Sequence, residues 1–339
     1  MMQRERERPG YIILSEYRSE LMGAAMLWVM LYHCFPVVIP FFPLDAVKRL
    51  GYGGVDMFLF LSGMGLAVSS LKRRRSYGAY LARRVVRILP AFYIVAVPFT
   101  LWKLLTGRIA LKNALWSLTL LGYWLGTPDH FNWYVSGLLA FYLLAPLLIL
   151  ILAKAGRGRD LVILCAVLLD IALCELLMRV GLARLLDFFF RIPIFWIGIR
   201  LGFAVFEEKP LTRSGCLFWA LLLVLGMLYI YFGRFSLVYY LSPNYGFILT
   251  TVPLCLLLCF LMKKLPLKPL WSLLALIGTC SLEIYLLNAA WFIQFDLFSR
   301  LLGVSPAVYC LIGVPVNLLA GVGLHFGTEA LRKRLGRHP

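Results

Sequence analysis

Residues 133–153 of the chain read WYVSGLLAFYLLAPLLILILA, a run of 21 residues without a charged side chain. About 20 predominantly apolar residues are enough for an α-helix to cross the hydrocarbon core of a bilayer. Further apolar segments of comparable length flank this run, at about 20–42, 54–71, 88–106, 160–179, 185–206, 214–233, 244–262, 270–298 and 305–330. These segments together predict an all-α integral membrane protein, a bundle of about ten transmembrane helices.

The composition of the 339-residue chain agrees with this interpretation. Hydrophobic residues make up 62% and charged residues 15%, whereas about a quarter of an average soluble domain is charged. Disordered, collagen-like and ordinary cytosolic proteins are thereby excluded. The eight cysteines lie mostly inside apolar runs without metal-ligand spacing, so neither a disulfide framework nor a metal site is predicted. We expect a single membrane domain at 19–331 between a basic N-terminal tail, 1–18, and a basic C-terminal tail, 332–339.

The distribution of lysine and arginine predicts how the chain is oriented in the membrane. Membrane proteins gather these residues in cytoplasmic loops, which explains the net charge of +18 without a nucleic-acid partner. Segment 113–124 is apolar but only about 12 residues long, too short to cross. Without it, ten crossings place 23 basic residues inside and about 10 outside, and with it the counts are about 16 and 17. The sequence therefore predicts both termini in the cytoplasm, in a multi-pass protein of the cell (inner or plasma) membrane.

His33 lies in the middle of the first apolar segment, within LWVMLYHCF. An ionisable group in hydrocarbon is costly and usually faces the interior of a bundle or an aqueous cavity. An imidazole titrates near neutral pH and accepts a proton from a hydroxyl, so His33 suits general-base catalysis. A neutral histidine hydrogen-bonded between helices is the structural alternative, and position alone leaves the two open. For His325, which is nearer a terminus and is expected to lack other polar neighbours in the bundle, the structural role is favoured.

Three arginines precede the third apolar segment, in LARRVVRILP. Arg83 and Arg87 stand four positions apart on one helical face, and Arg84 is three positions from Arg87. Guanidinium groups at one helix mouth offer a forked site for phosphate oxygens. Anchoring by positive charge at the cytoplasmic surface is the alternative. Anchoring explains the basic residues of Lys72–Arg75 well. It explains Arg83 and Arg87 less well, because these lead into an apolar helix capped by Pro90.

Two further segments carry polar residues of interest. Trp133 is typical of an aromatic belt at a membrane interface, and Ser136 suits a hydrogen bond to its own helix. Glu283, in the ninth apolar segment, must face the bundle interior, paired with an arginine or a hydrogen-bond donor, or be protonated. We hypothesise that Glu283 helps to shape a substrate channel.

Several segments match a known pattern in residue type and in order. They are ELMGAAMLWVMLYH (20–33), GYGGVDMFLFLSG (51–63), YLARRVVRILPAFY (80–93), WYVSGLLAFYLLAP (133–146), RIPIFWIG (191–198) and SLEIYLLN (281–288). The most specific part is GVDxFxxLSG followed by RxxR-I-x-P, after a histidine in the first span. In these features the chain resembles the acyltransferase 3 family of bacterial membrane acyltransferases over nearly its whole length.

The resemblance implies transfer of an acyl group, most often acetyl from acetyl-CoA, to a hydroxyl of a surface carbohydrate. It also implies a ten-helix bundle with both termini in the cytoplasm. It assigns the first-span histidine to His33, the RxxR pair to Arg84 and Arg87, and the acid of the GVD motif to Asp56, which we expect to orient His33. Because helical spacing favours Arg83 with Arg87, all three arginines remain candidates for binding the CoA phosphates.

Three positions depart from the pattern of the family. Met22 stands where many relatives have an arginine, and Leu138 and Leu139 stand where many have acidic residues. Asn288 stands where the ninth-span motif often ends in histidine. These departures concern the subfamily, and therefore the identity of the acceptor.

The sequence thus predicts a membrane O-acyltransferase that moves an acyl (acetyl) group from acyl-CoA to a hydroxyl of a cell-surface or exported carbohydrate or glycolipid. The expected partners are acyl-CoA, the acceptor and the lipid bilayer, with no bound cofactor. We expect Trp133, Ser136, Glu283 and Tyr285 to line the substrate channel. A transporter or flippase for a polysaccharide-related substrate is the alternative, because spans with intramembrane charges also suit translocation. A non-catalytic scaffold for polysaccharide assembly is a third.

Overall fold

In the computed structural model of the protein, residues 10–73, 75–127, 133–233 and 242–334 are described. No strand occurs among these residues, although an isolated bridge joins Gly10 to Pro210. Residues 1–9 and 335–339 of the two predicted tails lie outside the described residues. The all-α fold class is confirmed by this helical architecture.

The helices follow one another with short connections. In chain order the α-helices of the described residues are α1 (Ile13–Glu16), α2 (Arg18–His33), α3 (Phe42–Arg49), α4 (Gly54–Lys72), α5 (Tyr77–Leu105), α6 (Leu111–Leu118), α7 (Gly122–Leu125), α8 (Trp133–Ala155), α9 (Arg159–Arg179), α10 (Leu186–Phe189), α11 (Ile192–Phe206), α12 (Arg213–Gly233), α13 (Gly246–Lys264), α14 (Lys268–Thr279), α15 (Ser281–Leu287), α16 (Phe295–Leu302) and α17 (Pro306–Arg334). A π-helix, Asn288–Phe292, continues α15.

Seven helical stretches of the described chain are long and apolar enough to cross a membrane, or eight if the bent pair Lys268–Thr279 and Ser281–Phe292 forms one span. The stretch Trp133–Arg179 has 47 residues, about 70 Å of helix against about 30 Å of hydrocarbon. It contains α8 and α9, which are separated by the 3-10 turn Gly156–Gly158. Gly156 has a φ of +53°, a left-handed conformation that glycine adopts readily. Each of these helices has the length of one span, while the total of ten and the side of the termini stay predictions.

α2 is shorter than the predicted first span of 20–42. It has 16 residues and ends at His33. His33 therefore stands at the end of a helix and not in the middle of a span, which corrects the expectation from the sequence. Pro36 and Pro40 follow in the chain, and a proline drives the preceding residue out of the α conformation. A long apolar run thus ends its helix early because two prolines interrupt it.

The turn that follows His33 is held by a buried lysine, Lys48. Its Nζ donates to the carbonyl oxygens of Cys34, at 3.3 Å, and Val37. The carboxylate of Asp45 lies 3.7 Å from the same Nζ. No sequence pattern indicated this role, because Lys48 lies in a stretch of mixed polarity.

α5 begins at Tyr77, well before the predicted start near Pro90. Pro90 and Pro98 both lie inside this 29-residue helix, so Pro90 is not its cap. Prolines are tolerated in membrane helices because neighbouring groups satisfy the freed backbone atoms. The helix is about 44 Å long, more than the hydrocarbon core requires.

The short apolar segment 113–124 does not form a span. It overlaps α6 and α7, of 8 and 4 residues, with Leu120 at a φ of +64° between them. The prediction that this segment is too short to cross is confirmed.

One of two compact units consists of the described residues within Met1–Leu21, Val55–Ser76 and Leu143–Trp271. In this unit α4 packs closely against α11. A Cβ atom at Gly198 would lie 2.3 Å from the carbonyl oxygen of Phe60, and one at Gly202 would lie 2.7 Å from that of Met64. Small residues four positions apart allow such close backbone approach between membrane helices.

The other unit consists of the described residues within Met22–Gly54, Tyr77–Tyr142 and Ser272–Pro339. α17 crosses α15 at Gly321, where a Cβ atom would lie 2.8 Å from the Cα of Ile284. α5 packs against the π-helix through Phe99 and Trp102, whose rings lie 5.0 and 5.4 Å from that of Trp291. Most of the candidate site residues belong to this unit.

Candidate active site

The imidazole of His33 is hydrogen-bonded to a buried amide. Its Nδ1 contacts the Oδ1 of Asn288, a residue 255 positions away and fully buried. An amide oxygen only accepts, so with Oδ1 facing the ring this hydrogen bond forms in the tautomer whose Nδ1 carries the proton and whose Nε2 bears the lone pair. Among the described residues Nε2 has no hydrogen-bond partner, and the side chain is partly exposed. This is the arrangement of a histidine held in one tautomer with its basic nitrogen available.

Asn288 is the first residue of the π-helix Asn288–Phe292. A π-helix is rare and frequently marks a functional position, because the widened turn redirects a side chain. Sequence reasoning singled out Asn288 only as a departure from a motif and missed it as the partner of His33. Its position in the SLEIYLLN segment was the available signal, but the contact depends on packing between distant parts of the chain.

The three arginines lie near the N-terminal end of α5 and share an arc of about 100° on its surface. Arg87 lies between Arg83 and Arg84 on that arc, since successive residues turn by about 100°. Both pairings weighed from the sequence are therefore compatible with one site. The three arginines share this arc because they belong to one continuous helix, Tyr77–Leu105.

The surroundings of these arginines differ. The guanidinium of Arg84 lies over the rings of Tyr80 and Tyr142, at 5.5 and 5.6 Å from their centroids. Tyr80 donates its hydroxyl to the carbonyl oxygen of Tyr142 at 3.0 Å, which fixes this aromatic pair. Arg87 is exposed and Arg83 is partly buried. Arg84 is thus an anchored cation, while Arg87 is open to an anionic ligand.

The arginines and His33 lie toward opposite ends of α5. From Arg87 to Phe99 there are twelve residues, about 18 Å of helix. Phe99 contacts Trp291 of the π-helix, and that π-helix begins at Asn288, the partner of His33. The candidate phosphate site and the candidate base are therefore separated along one compact unit.

Asp56 lies at the start of α4 in the other unit. It is buried, and its Oδ2 lies 3.8 Å from the Nε of Arg191, which is buried as well. Arg191 also donates from Nη1 to the carbonyl oxygen of Asp187 at 2.6 Å. The pairing of Asp56 with His33 stays a prediction, whereas its ion pair with Arg191 gives it a structural role.

Glu283 has an ionisable partner that the sequence did not indicate. Its Oε1 lies 3.2 Å from the Nδ1 of His325, without hydrogen-bond geometry at Nδ1, and both side chains are buried. Glu329 lies 3.9 Å from the Nε2 of the same histidine. The expectation that His325 lacks polar neighbours is therefore wrong, because α17 passes alongside α15. The partner that we expected for Glu283 inside the bundle is therefore a histidine, His325.

The remaining predicted channel residues lie in the same unit. Ser136 is buried and donates its hydroxyl to the carbonyl oxygen of Leu120 at 2.7 Å, not to its own helix as the structural alternative supposed. Tyr285 is buried, with its ring 4.6 Å from that of Tyr134. Trp133 begins α8 and is partly buried. A role for Trp133, Ser136 and Tyr285 in lining a channel stays a prediction.

Comparison with known proteins adds one finding to this geometry. A family model described as an acyltransferase domain matches residues 23–325, nearly the whole chain. No curated protein and no solved structure matches the chain significantly. The matched range includes His33, Asn288 and all three arginines of α5.

Proposed function

Because the chain belongs to the acyltransferase 3 family, whose model spans residues 23–325, we propose that it transfers an acetyl group from acetyl-CoA to a hydroxyl of a cell-surface or exported carbohydrate or glycolipid. The proposed location is the cell (inner) membrane. Family membership carries the general activity, membrane acyl transfer. The donor, the acyl group and the acceptor belong to the proposal.

The donor is proposed to bind through its phosphates at Arg83, Arg84 and Arg87. Three guanidiniums on one arc of α5 supply several N–H donors in forked geometry, which suits phosphate oxygens. The pantetheine arm of the donor would then extend along the bundle toward His33. The separation of about 18 Å along α5 requires a long donor of this kind.

In the transfer step, Nε2 of His33 is proposed to take the proton of the acceptor hydroxyl while its oxygen attacks the thioester carbonyl. The C–S bond then breaks, the acyl group remains on the acceptor oxygen, and the CoA sulfur leaves as a thiolate that recovers the proton from the imidazolium. Asn288 holds the other ring nitrogen and so keeps Nε2 basic. A relay through an acyl-imidazole is the alternative chemistry. Of the two roles considered for Asp56, the ion pair with Arg191 supports the structural one.

The observation that carries this proposal is the state of His33. Its Nδ1 is bonded to Asn288 and its Nε2 is unpartnered within the described residues, at the end of the unit opposite the arginines. Ordinary interhelical histidines use both ring nitrogens when buried, because an unpaired buried polar atom is costly. A nitrogen left available at a partly exposed position suits proton transfer.

The proposal is tested by mass spectrometry of surface glycans and glycolipids from wild-type, deletion and His33→Ala strains. Acetyl groups present in the wild type should be absent from both other strains. Loss of a positioned base lowers the rate by about 10²–10⁴-fold, while CoA binding by the purified His33→Ala protein should be largely retained. Normal acetylation in the His33→Ala strain would refute the assignment, and a trapped acyl-imidazole would favour the relay.

A further inference from the structure

A polar cavity of about 580 Å³ lies in the same unit as His33. Its lining contains two arginines, Arg108 and Arg300, together with Gln294 and Asp296. Apolar residues such as Phe295 complete the wall. With two guanidiniums and one carboxylate, the charged lining residues sum to a net +1.

The cavity adjoins His33. Pro36, which lines it, comes three residues after His33 in the chain. The ring of Phe295 lies 6.2 Å from that of Phe35, and the ring of Phe35 lies 5.7 Å from that of His33. The ring of Phe35 thus connects His33 to Phe295, a residue of the cavity lining.

A backbone contact links the same cavity to the partner of His33. Ile293, another lining residue, donates its N–H to the carbonyl oxygen of Asn288 at 3.3 Å. The π-helix thus has the histidine partner at one end and the cavity at the other. A ligand in the cavity would lie at the His33 end of α5, away from Arg83, Arg84 and Arg87.

The two arginines of the cavity are held differently from other arginines of the chain. Arg49, Arg159 and Arg200 pair with carboxylates at 2.5–2.7 Å. No carboxylate of the described residues lies within 4 Å of the guanidinium of Arg108 or Arg300. Instead, the guanidinium of Arg108 lies 4.7 Å from the ring centroid of Trp102, a contact that orients it and leaves its edge N–H groups available.

We propose that this cavity is the acceptor subsite and that Arg108 and Arg300 bind an anionic group of an acidic saccharide, a carboxylate or a phosphate. The inference rests on the proposed acyl transfer and specifies the class of acceptor. Planar guanidiniums bind such groups through two parallel N–H donors. The side chains of Gln294 and Asp296 offer acceptors for sugar hydroxyls, so the lining can recognise a charged and hydroxylated ligand together.

The test is direct binding to the full chain in nanodiscs of zwitterionic phosphatidylcholine, without acyl-CoA. The probes are tetragalacturonate and its methyl ester, which share a sugar backbone and differ in carboxylate charge. We expect the wild type to bind the acid about tenfold more tightly than the ester, since charge-assisted bonds are the strong ones, with a preference that weakens as salt increases. Arg108→Gln and Arg300→Gln should each remove most of the preference.

Lys112→Gln provides the matched control, because Lys112 is an exposed cation on α6 outside the cavity lining. Its preference for the acid should equal that of the wild type. Equal affinity of the wild type for acid and ester would overturn the proposal. So would a preference that Lys112→Gln reduces as much as Arg300→Gln does.

A second arm separates a saccharide from a lipid headgroup, which carries the same phosphate chemistry. Nanodiscs containing phosphatidylglycerol are analysed by native mass spectrometry for retained lipid. Retention of phosphatidylglycerol that depends on both arginines, with no binding of the acid in either nanodisc, would assign the site to a lipid and overturn the proposal. Binding of the acid as expected, in a chain that transfers no acetyl group, would refute the proposed acyl transfer and with it the acceptor role, and would leave only a binding site for acidic saccharides.

Discussion

Asn288 is the residue on which the chemistry of His33 depends most directly. A side chain that accepts a hydrogen bond from Nδ1–H fixes the tautomer, and a positioned base acts only from the correct ring nitrogen. Asn288 itself touches no substrate in the proposed step. It is therefore a positioning residue, and its effect should be visible in the pH dependence of the reaction.

We expect Asn288→Leu to lower turnover by about 10- to 100-fold, less than removal of the base itself, because Nδ1 loses its acceptor. Asn288→Asp should restore part of the activity and move the acidic limb of the pH–rate profile to higher pH, since a carboxylate stabilises the imidazolium. Asn317→Leu serves as the control, because Asn317 is a buried amide that bonds the carbonyl oxygen of Ile284 at 3.2 Å. A profile unchanged in Asn288→Asp would contradict the positioning role.

The different surroundings of Arg84 and Arg87 lead to a second prediction. Arg87→Gln should weaken CoA binding by about tenfold with little change in melting temperature, since exposed substitutions alter stability by about 0.5 kcal/mol or less. Arg84→Gln should lower both the CoA affinity and the melting temperature, because this variant also loses cation–π contacts worth about 0.5–2 kcal/mol. Calorimetric titration of CoA and thermal unfolding in nanodiscs measure the two effects.

Arg157→Gln is the control for this pair, because Arg157 is exposed in the turn between α8 and α9. Arg87→Lys should recover only part of the affinity, because a point charge does not reproduce the fork. CoA affinity that is unaffected by Arg87→Gln would remove the arginines from the donor site.

At the scale of elements, α3 supports the end of α2. Asp45 accepts from the Nε of Arg49 at 2.6 Å and from the backbone N–H of Ile39 at 3.2 Å. The hydrogen bond from Arg49 is the main cause that holds the pKa of Asp45 below its usual range. A carboxylate with a lowered folded-state pKa stabilises the fold above its unfolded value of about 3.9, and this contribution is lost as the pH falls through the folded value.

We therefore expect the segment 34–49 to lose hydrogen-exchange protection in acid, below about pH 4. Asp45→Asn should show comparable loss at pH 7, because the amide carries no charge to pair with Arg49. Exchange is measured by mass spectrometry and corrected for the intrinsic pH dependence. Asp160→Asn, which breaks the pair with Arg200, should leave the segment protected. Full protection in Asp45→Asn at pH 7 would show that Lys48 holds the turn by itself.

At the scale of the whole molecule, the distribution of charge predicts the orientation in the bilayer. The ten-span arrangement places 23 basic residues inside against about 10 outside, a bias that sets orientation during insertion. Both termini should therefore lie in the cytoplasm, and the connection after α5 should lie outside. Fusion of a fluorescent protein that matures only in the cytoplasm should give signal at either terminus.

The same reporter inserted at Gly107, in that connection, should give none. Gly107 is exposed and has a φ of +68°, so the insertion disturbs no helix. Fluorescence from the insertion at Gly107, or from a fusion at only one terminus, would contradict the predicted ten-span arrangement.

Three features could be predicted from the sequence alone: the all-α membrane class, the inability of segment 113–124 to cross and the grouping of arginines on one helical arc. Each of these depends on local properties: the length of an apolar run, the spacing of residues along a helix and the sum of nearby charges. The early end of α2 also has a local cause, since Pro36 follows His33 closely, although the apolar run obscured it.

The contacts between polar groups of distant segments could not be predicted from the sequence. Asn288 reaches His33 across 255 residues, and His325 reaches Glu283 because α17 crosses α15 at Gly321. Such contacts depend on how helices pack, and packing is set by the shapes of many side chains at once. No pattern along the chain encodes them, so His33, which the sequence offers as a candidate base, acquires its hydrogen-bond partner only in the folded molecule.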